Sequence, residues 1–496
     1  MRFCGDNVVS DLERCDVATS PNACAPGCLG GRELRVDTGG PGGPGLCSLM
    51  DAGLSARDGT PRNGCVFVEA DPPSPVDVIR FAPNVTEVAL DDVGPLWVGD
   101  HGLLIDGGGA VTIGGSVASD IGLFVSLTGA LTLRGLAFED LDTAFVLANV
   151  AELAVLRVER SQFTGLSGDT VLVTDRSRIE IADSTFADGC TALTLSGGSG
   201  LVERSTFSGN TGPDRGAINA TNATLTVYDS TFVDNRGQHQ GGAIGVATGT
   251  VVVRGSTFVG NRATVAGATL SADGNGNSID LATSIIEPFD VGSAISECSG
   301  GPYTNGSYLA FSDATRRAAC GGDPATSVIG AVLTDGTLAD NGGLTPTIAL
   351  PRGSVALNVV PLASCRPRDQ RGVTRAGERC DIGAFEAPLD SFALALDAAS
   401  EVYVPAGTGA ATFAVDVAVS LLGAASASSV VVTCDLDGAT FVTASGALSG
   451  RCSPSGGDLT CALGALAAPT TLVSGTLTLD ARAATGAAID LSLIHI

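Results

Sequence analysis

Residues Ser230–Ile244 read STFVDNRGQHQGGAI. The same signature stands upstream at Ser205–Ile218 as STFSGNTGPDRGAI, and downstream at Ser256–Thr269 as STFVGNRATVAGAT. Each copy holds Ser-Thr-Phe, an Asn three residues after the Phe, and a Gly-Ala start to the next strand. Working outward, Phe recurs at 138, 163, 186, 207, 232 and 258, at intervals of 21 to 26 residues. A short alternating run precedes each one, such as LTVYDSTF (225–232), VVVRGSTF (251–258) and RIEIADSTF (178–186). Alternation at period two marks a strand with one buried face. No helical pattern separates the strands, and the interval is too short for a strand-helix-strand unit of about 30 residues.

The period therefore predicts a right-handed, single-stranded parallel β-helix, with coils stacked about 4.8 Å apart. Phe163, Phe186, Phe207, Phe232 and Phe258 are expected to stack inside it. Asn210, Asn235 and Asn261 are expected at one corner, tolerating a left-handed bend and bonding one another's amides. Leu225, Val227 and Asp229 point one way, Thr226, Tyr228 and Ser230 the other, until the chain turns. Residues 91–350 would make roughly ten coils, a stack on the order of 50 Å long. Ser284-Ile285-Ile286 takes the Ser-Thr-Phe place in a coil where the pattern is degrading.

The bulk composition agrees with an all-β chain. Of 496 residues, 67 are Gly and only 16 % are charged. The 27 basic residues, all Arg, face 53 acidic ones for a net charge of −26. That surface repels phosphate backbones and argues against a nucleic-acid partner. No run of about 18 apolar residues exists, so no transmembrane helix is expected. The oligomeric state is not set by anything in the sequence.

Fourteen cysteines, six of them in the first 65 residues, suggest disulfides and an oxidising compartment. Expected pairs are Cys47–Cys65, Cys298–Cys320, Cys365–Cys380 and Cys452–Cys461, with Cys4, Cys15, Cys24 and Cys28 pairing among themselves. Connectivity does not follow from spacing alone. Cys365–Cys380 would pin a loop that closes the last coil, whose strand edges would otherwise stay unpaired. Cys190 is expected inside the stack.

Two marks flank the coils. LCSLMDAGLSA (46–56), Cys65 and the run VDVIRFAPNVTEVAL (76–90) resemble the CSLREA domain that precedes β-helices in bacterial surface proteins. Met50 and Asp51 replace that motif's Arg-Glu. DQRGVTRAGERCDIGAFE (369–386) resembles the closing signature of choice-of-anchor Q β-helix proteins, whose fold is pectin-lyase-like. CGDNVVSDLERCDVATSPNACAPGC (4–28) is similar to Cys-rich repeats of myxobacterial surface proteins. Residues 390–490 resemble a β-sandwich module of bacterial surface and adhesion-like proteins, immunoglobulin-like in type.

The chain thus divides into a Cys-rich segment (1–31), a CSLREA-like cap (32–90), the β-helix with its closing motif (91–386) and a β-sandwich (390–490). Leu491–Ile496 reads as a translated sequencing adapter, so the natural chain is expected to continue past it. MRFCGDNVVS has no apolar signal core, which implies a misassigned start or a fragment. These resemblances imply an extracellular or outer cell-surface protein and no particular reaction.

Catalysis on a β-helix would need converging carboxylates or a calcium cage. Asp183 and Asp229 both precede the Ser of Ser-Thr-Phe and could approach one another across coils; Glu159 and Glu203 recur nearby. Asp100 and His101, in VGDHGLLIDGGG, are the other acid–base candidates. The plainer reading of the carboxylates is a solvated, partly paired outer face. His239 lies in a turn and is expected in solvent. No zinc pattern and no resident cofactor is expected. Ca²⁺ is conceivable only at DGNGNSID (273–280) or DLDG (435–438), and neither reaches the ligand count of a known loop.

The leading reading is a non-catalytic surface protein whose coils bind carbohydrate or a matrix protein. The rival is a polysaccharide lyase or glycoside hydrolase, and the third is a passive stalk.

Overall fold

The computed structural model describes residues 32–482, with its longest breaks at 70–75, 90–95, 115–120, 148–154 and 399–409. Cys4, Cys15, Cys24 and Cys28 lie outside the described residues. Two compact units are present. Among the described residues, one comprises those from 32 to 351 together with 365–375 and 382–385; the other holds those of 352–364, 376–381 and 386–482.

The first unit is a parallel β-helix. One coil shows its construction. The strand Ile244–Arg254 ends at Gly255 (φ 61°), the strand Thr257–Val259 ends at Gly260 (φ 67°), and Arg262–Ala263 leads into a loop before Leu270–Ala272. Each strand pairs in parallel with its counterpart one coil on, so Phe207, Phe232 and Phe258 stand in exact register with Ile286 and Phe311 beyond them. The six phenylalanines from Phe138 to Phe258 stack with ring centroids 4.6–4.9 Å apart. All are buried, and each contributes about 2–3 kcal/mol of burial energy. Ile286 occupies the aromatic position of the degrading coil.

Every residue of Ser-Thr-Phe has its own task. The Phe fills the interior. The Ser hydroxyl accepts from the backbone N–H of the previous coil's Ser, giving a ladder through Ser161, Ser184, Ser205, Ser230 and Ser256. It donates in turn to a carbonyl two residues back, as Ser230 does to Tyr228. The Asn amides form a second ladder, with Asn210 Nδ2 donating to Asn235 Oδ1 at 2.9 Å and Asn235 Nδ2 to Asn261 Oδ1 at 3.0 Å. The left-handed bend does not fall on these asparagines. It falls one residue earlier, at Gly209, Asp234 (φ 54°) and Gly260, and again before each Ser, at Asp183, Arg204 and Asp229. A short loop turns through a single αL residue, and the Asn beside it is then free to spend its amide on the backbone left exposed by the turn.

The Thr faces outward and is nevertheless buried. Residues 333–351, 365–375 and 382–385 run back along the outside of the coils rather than sealing their end, which differs from the closure expected of the 369–386 motif. Gln370 Nε2 donates to Thr206 Oγ1 (2.8 Å), Thr231 Oγ1 donates to Gln370 Oε1 (2.7 Å), and Ala384 N donates to Thr257 Oγ1 (2.9 Å). Ile348 packs on Val233 and Val259. The return segment thus covers a sheet face that carries hydroxyls in register, and satisfies them.

The ends of the stack are built differently. Parallel pairing already begins with Arg32–Val36 against Asp77–Phe81. Helix α1 (Leu49–Asp58) packs near this edge; Ser48 caps it, accepting from Asp51 N at 3.1 Å, and Cys47–Cys65 ties it down. At the other end helix α2 (Ala314–Ala319) is capped by Asp313 and tied through Cys298–Cys320 to the strand Cys298–Gly300. Cys365 and Cys380 are both disulfide-bonded. Cys190 is a half-buried thiol rather than an interior residue.

Among the described residues, the second unit has two larger antiparallel sheets besides the short pair Val360–Pro361 and Arg379–Cys380. The strands Phe392–Ala398, Ala410–Leu421, Leu472–Arg482 and Ala439–Ala444 form one; Ala427–Asp435, Asp458–Leu466 and Cys452–Ser455 form the other. Val415, Val417 and Leu477 from the first meet Val432, Leu459 and Leu463 from the second in one apolar core. Cys452 and Cys461 face each other across a hairpin and are bonded.

Candidate ligand-binding flank of the coils

The carboxylates singled out in the sequence do not converge on a reaction centre. Asp183 and Asp229 occupy equivalent corners two coils apart, with Arg204 at the corner between them. Arg204 takes Asp183 in a fork, Nε to Oδ1 at 2.8 Å and Nη2 to Oδ2 at 2.9 Å. Asp229 is only 2 % exposed. Arg366 of the return segment donates to Asp229 Oδ2 (2.5 Å) and to Glu203 Oε1 (2.8 Å) while lying 3.8 Å over the Tyr228 ring. Arg375 stands 3.8 Å from Asp229 Oδ1. Burial pushes the Asp229 carboxyl up to about 6, against the pull of Arg375 and Arg366. The cluster fastens the return segment to the coils. It offers no second carboxylate free to act as the partner in an acid–base pair.

Asp100 and His101 lie outside the described residues, as does most of 435–438. In 273–280 the Asp280 carboxylate is taken by Arg254 Nη2 at 2.5 Å. Among the described residues, no group of three or more His, Cys, Asp or Glu side chains is placed to hold a metal ion.

Chemistry gathers instead on the loops after the Asn ladder. The short strands Thr211–Gly212, Arg236–Gly237 and Arg262–Ala263 pair in parallel and project these loops from one flank. In the first loop Arg215 Nη1 donates to Asp214 Oδ2 (2.5 Å) and Asn219 Oδ1 (3.2 Å), and its Nε is buried without a hydrogen-bond partner. Its side chain lies over Gly245 in the next coil; a Cβ there would meet Arg215 Cδ at 1.9 Å. Glycine at 245 is thus what admits the arginine. In the second loop His239 is 67 % exposed, with Nδ1 3.6 Å from Asp214 Oδ1. Gln240 turns its amide toward the Asp273 carboxylate. Beneath these loops Thr194, Asn219, Gly245, Ser271 and Ser299 follow one another in register along an outward-facing column.

The same flank carries two arginines in register, Arg236 and Arg262. Arg262 stacks 4.0 Å over the ring of Phe289, which is 57 % exposed.

Residues 96–284 match the protein family described as Right handed beta helix region. No curated protein and no solved structure matches the sequence. The matched stretch takes in the stacked phenylalanines, the Asn ladder and nearly all of the flank just described. The β-helix is thereby supported both by the family match and by the parallel register of the strands.

Reading the sequence picked out His239 on this flank and missed Asp214, Arg215, Arg236, Arg262 and Phe289. A signal for the first four was present. Between the ladder Asn and Gly-Ala, the copies read TGPDR, RGQHQG and RATVA. This is where side-chain chemistry changes from coil to coil while the Ser-Thr-Phe frame stays constant.

Proposed function

We propose that the chain is an exported, non-catalytic surface protein whose coil flank binds carbohydrate. The observation that carries this reading is the flank itself: Asp214, Arg215, Asn219, His239 and Gln240 are drawn from successive coils into one polar array. Hydroxyl, amide, carboxylate and guanidinium groups set on a rigid scaffold suit the many hydroxyls of a sugar polymer. A repeating scaffold also suits a repeating ligand. The flanking segments agree with a surface location through their resemblance to CSLREA and choice-of-anchor Q proteins, as do the disulfides. No helix among the described residues is long and apolar enough to cross a membrane.

The non-catalytic part of the reading is supported by Asp183, Glu203 and Asp229, which are held in arginine pairs. One observation favours the enzymatic alternative: Asp214 beside His239 could orient an imidazole for proton transfer. A glycan array probed with the full chain tests the proposal. Binding without any change in the length of the bound polymer is the expected result. Cleavage that disappears in His239→Ala would replace it with the enzymatic reading, and absence of any binding would leave a passive stalk.

A further inference from the structure

We propose that Arg236, Arg262 and Phe289 form a subsite for the anionic group of an acidic polysaccharide, a carboxylate or a sulfate. The inference rests on the carbohydrate reading above and adds the class of sugar. It starts from an imbalance. The chain carries 53 acidic residues against 27 arginines, so an arginine on this surface has many carboxylates available. Arg157, Arg204, Arg215, Arg254 and Arg366 all take one. Arg236 and Arg262 take none among the described residues, and neither guanidinium makes a hydrogen bond there. Two acidic side chains that the coil stack brings to this corner leave them alone. Asp234 is exposed two residues before Arg236 but not within ion-pair reach, and Glu287 accepts from Thr334 N and Oγ1 instead.

The geometry prepares the pair for an anion. Direct register across parallel strands sets Arg236 and Arg262 about 4.8 Å apart at the backbone, close enough for both to reach one oxyanion or two successive ones. Two like charges held this close without a counter-ion repel each other, and a bound anion removes that cost. The Arg262 guanidinium carbon lies 4.0 Å over the Phe289 ring, a cation–π contact that holds the group beside Arg236. Arg262 Nε is already buried without a partner. Phe289 leaves over half its surface open beside these donors, a flat apolar face of the kind on which a pyranose ring packs. A sugar ring bearing an acidic group would meet both features at once.

The test uses the full chain at physiological ionic strength, where repulsion from the distant acidic surface is screened beyond about 8 Å. Binding is measured to alginate and dextran sulfate as charged probes, to dextran and laminarin as neutral ones, and to single-stranded DNA as a polyanion of another class. The expected result is binding to at least one charged polysaccharide in preference to the neutral ones. Arg236→Gln with Arg262→Gln should weaken that binding about tenfold or more, and Phe289→Ala several-fold. Circular dichroism of the variants should match the parent, since Arg236 is exposed and Arg262 is only half-buried. Binding to neutral glycans alone would overturn this subsite and leave the carbohydrate reading standing. Binding to no glycan would overturn both. Equal binding to single-stranded DNA, or a double variant that binds alginate or dextran sulfate unchanged, would also overturn the subsite.

Discussion

Arg366 Nε donates to Asp229 Oδ2 at 2.5 Å across 137 residues of sequence. Through this contact and the one to Glu203, the return segment grips two successive coils with one guanidinium. The groups facing Asp229 are Arg366 and Arg375 from the return segment, and Glu203 and Arg204 from the coil before.

Asp229 gives the fold a pH dependence of defined sign. Its carboxyl is pushed up to about 6 in the folded protein, by burial first, whereas an unfolded Asp titrates near 3.9. The native state therefore holds a proton more tightly than the unfolded chain. The ionised carboxylate costs stability above about pH 6, and the cost is relieved as pH falls toward about 4. Compared with Asp229→Asn, which has no such titration, the wild-type melting temperature should gain ground between pH 7.5 and 5. A difference that runs the other way would mean the arginines outweigh burial.

Gln370 should matter more than its surface origin suggests. Its amide bonds Thr206, Thr231 and Thr345, all buried. Gln370→Ala leaves these hydroxyls under the return segment with fewer partners, and a loss of about 2–4 kcal/mol is expected. Thr226→Ala, at a half-buried outward position, should cost less than about 0.5 kcal/mol. Denaturant midpoints for the two variants would show the contrast, and equal midpoints would contradict the seal.

The two interior ladders respond to different substitutions. Phe232→Ala opens a cavity between Phe207 and Phe258 and should cost about 3–5 kcal/mol. Asn235→Ala breaks the amide ladder and strips partners from Asn210 N and Phe207 O, for about 2–4 kcal/mol. Asn235→Asp should not rescue the second loss, because the carboxylate lacks the donors that reach Phe207 O and Asn261 Oδ1. Thermal denaturation of the three variants would check the order.

Replacing Cys298 and Cys320 together by Ser should remove about 3 kcal/mol, the value for a closed loop of this size. Hydrogen exchange should rise first in α2, which that disulfide ties to the last coils. Exchange that rises evenly through the coils would instead assign the bond a global role.

Gly245→Val is the sharpest probe of the first loop. Its side chain would occupy the space of Arg215 Cδ. The coil should survive, since the position faces outward, while Arg215 is displaced and glycan binding falls. Unchanged binding would remove Arg215 from the site.

The sequence by itself determined the coil. Phe recurs every 21 to 26 residues after an alternating strand, and only stacked parallel coils bury such a pattern, because each residue in the frame meets its own copy one coil away. The same local logic made the Asn ladder legible, although it put the left-handed residue one place too late: a turn needs one αL residue, and periodicity does not say which of two neighbours supplies it. The hairpin disulfide at Cys452–Cys461 was readable for a similar reason, being short in sequence and direct in space.

Tertiary structure alone decided what the outer faces do. Asp183 and Asp229 looked like partners because they share a position in the repeat, but the coil between them places Arg204 there. The 369–386 motif was expected to close the end because it resembles a closing signature, yet Gln370 lies against Thr206 and Thr231, more than 130 residues away in sequence. Arg236, Arg262 and Phe289 form one site only because register aligns two loops and a third segment reaches back to them. Interior positions are fixed by a repeat that each coil imposes on the next; exterior positions are fixed by whichever distant segment folds over them, and no period records that.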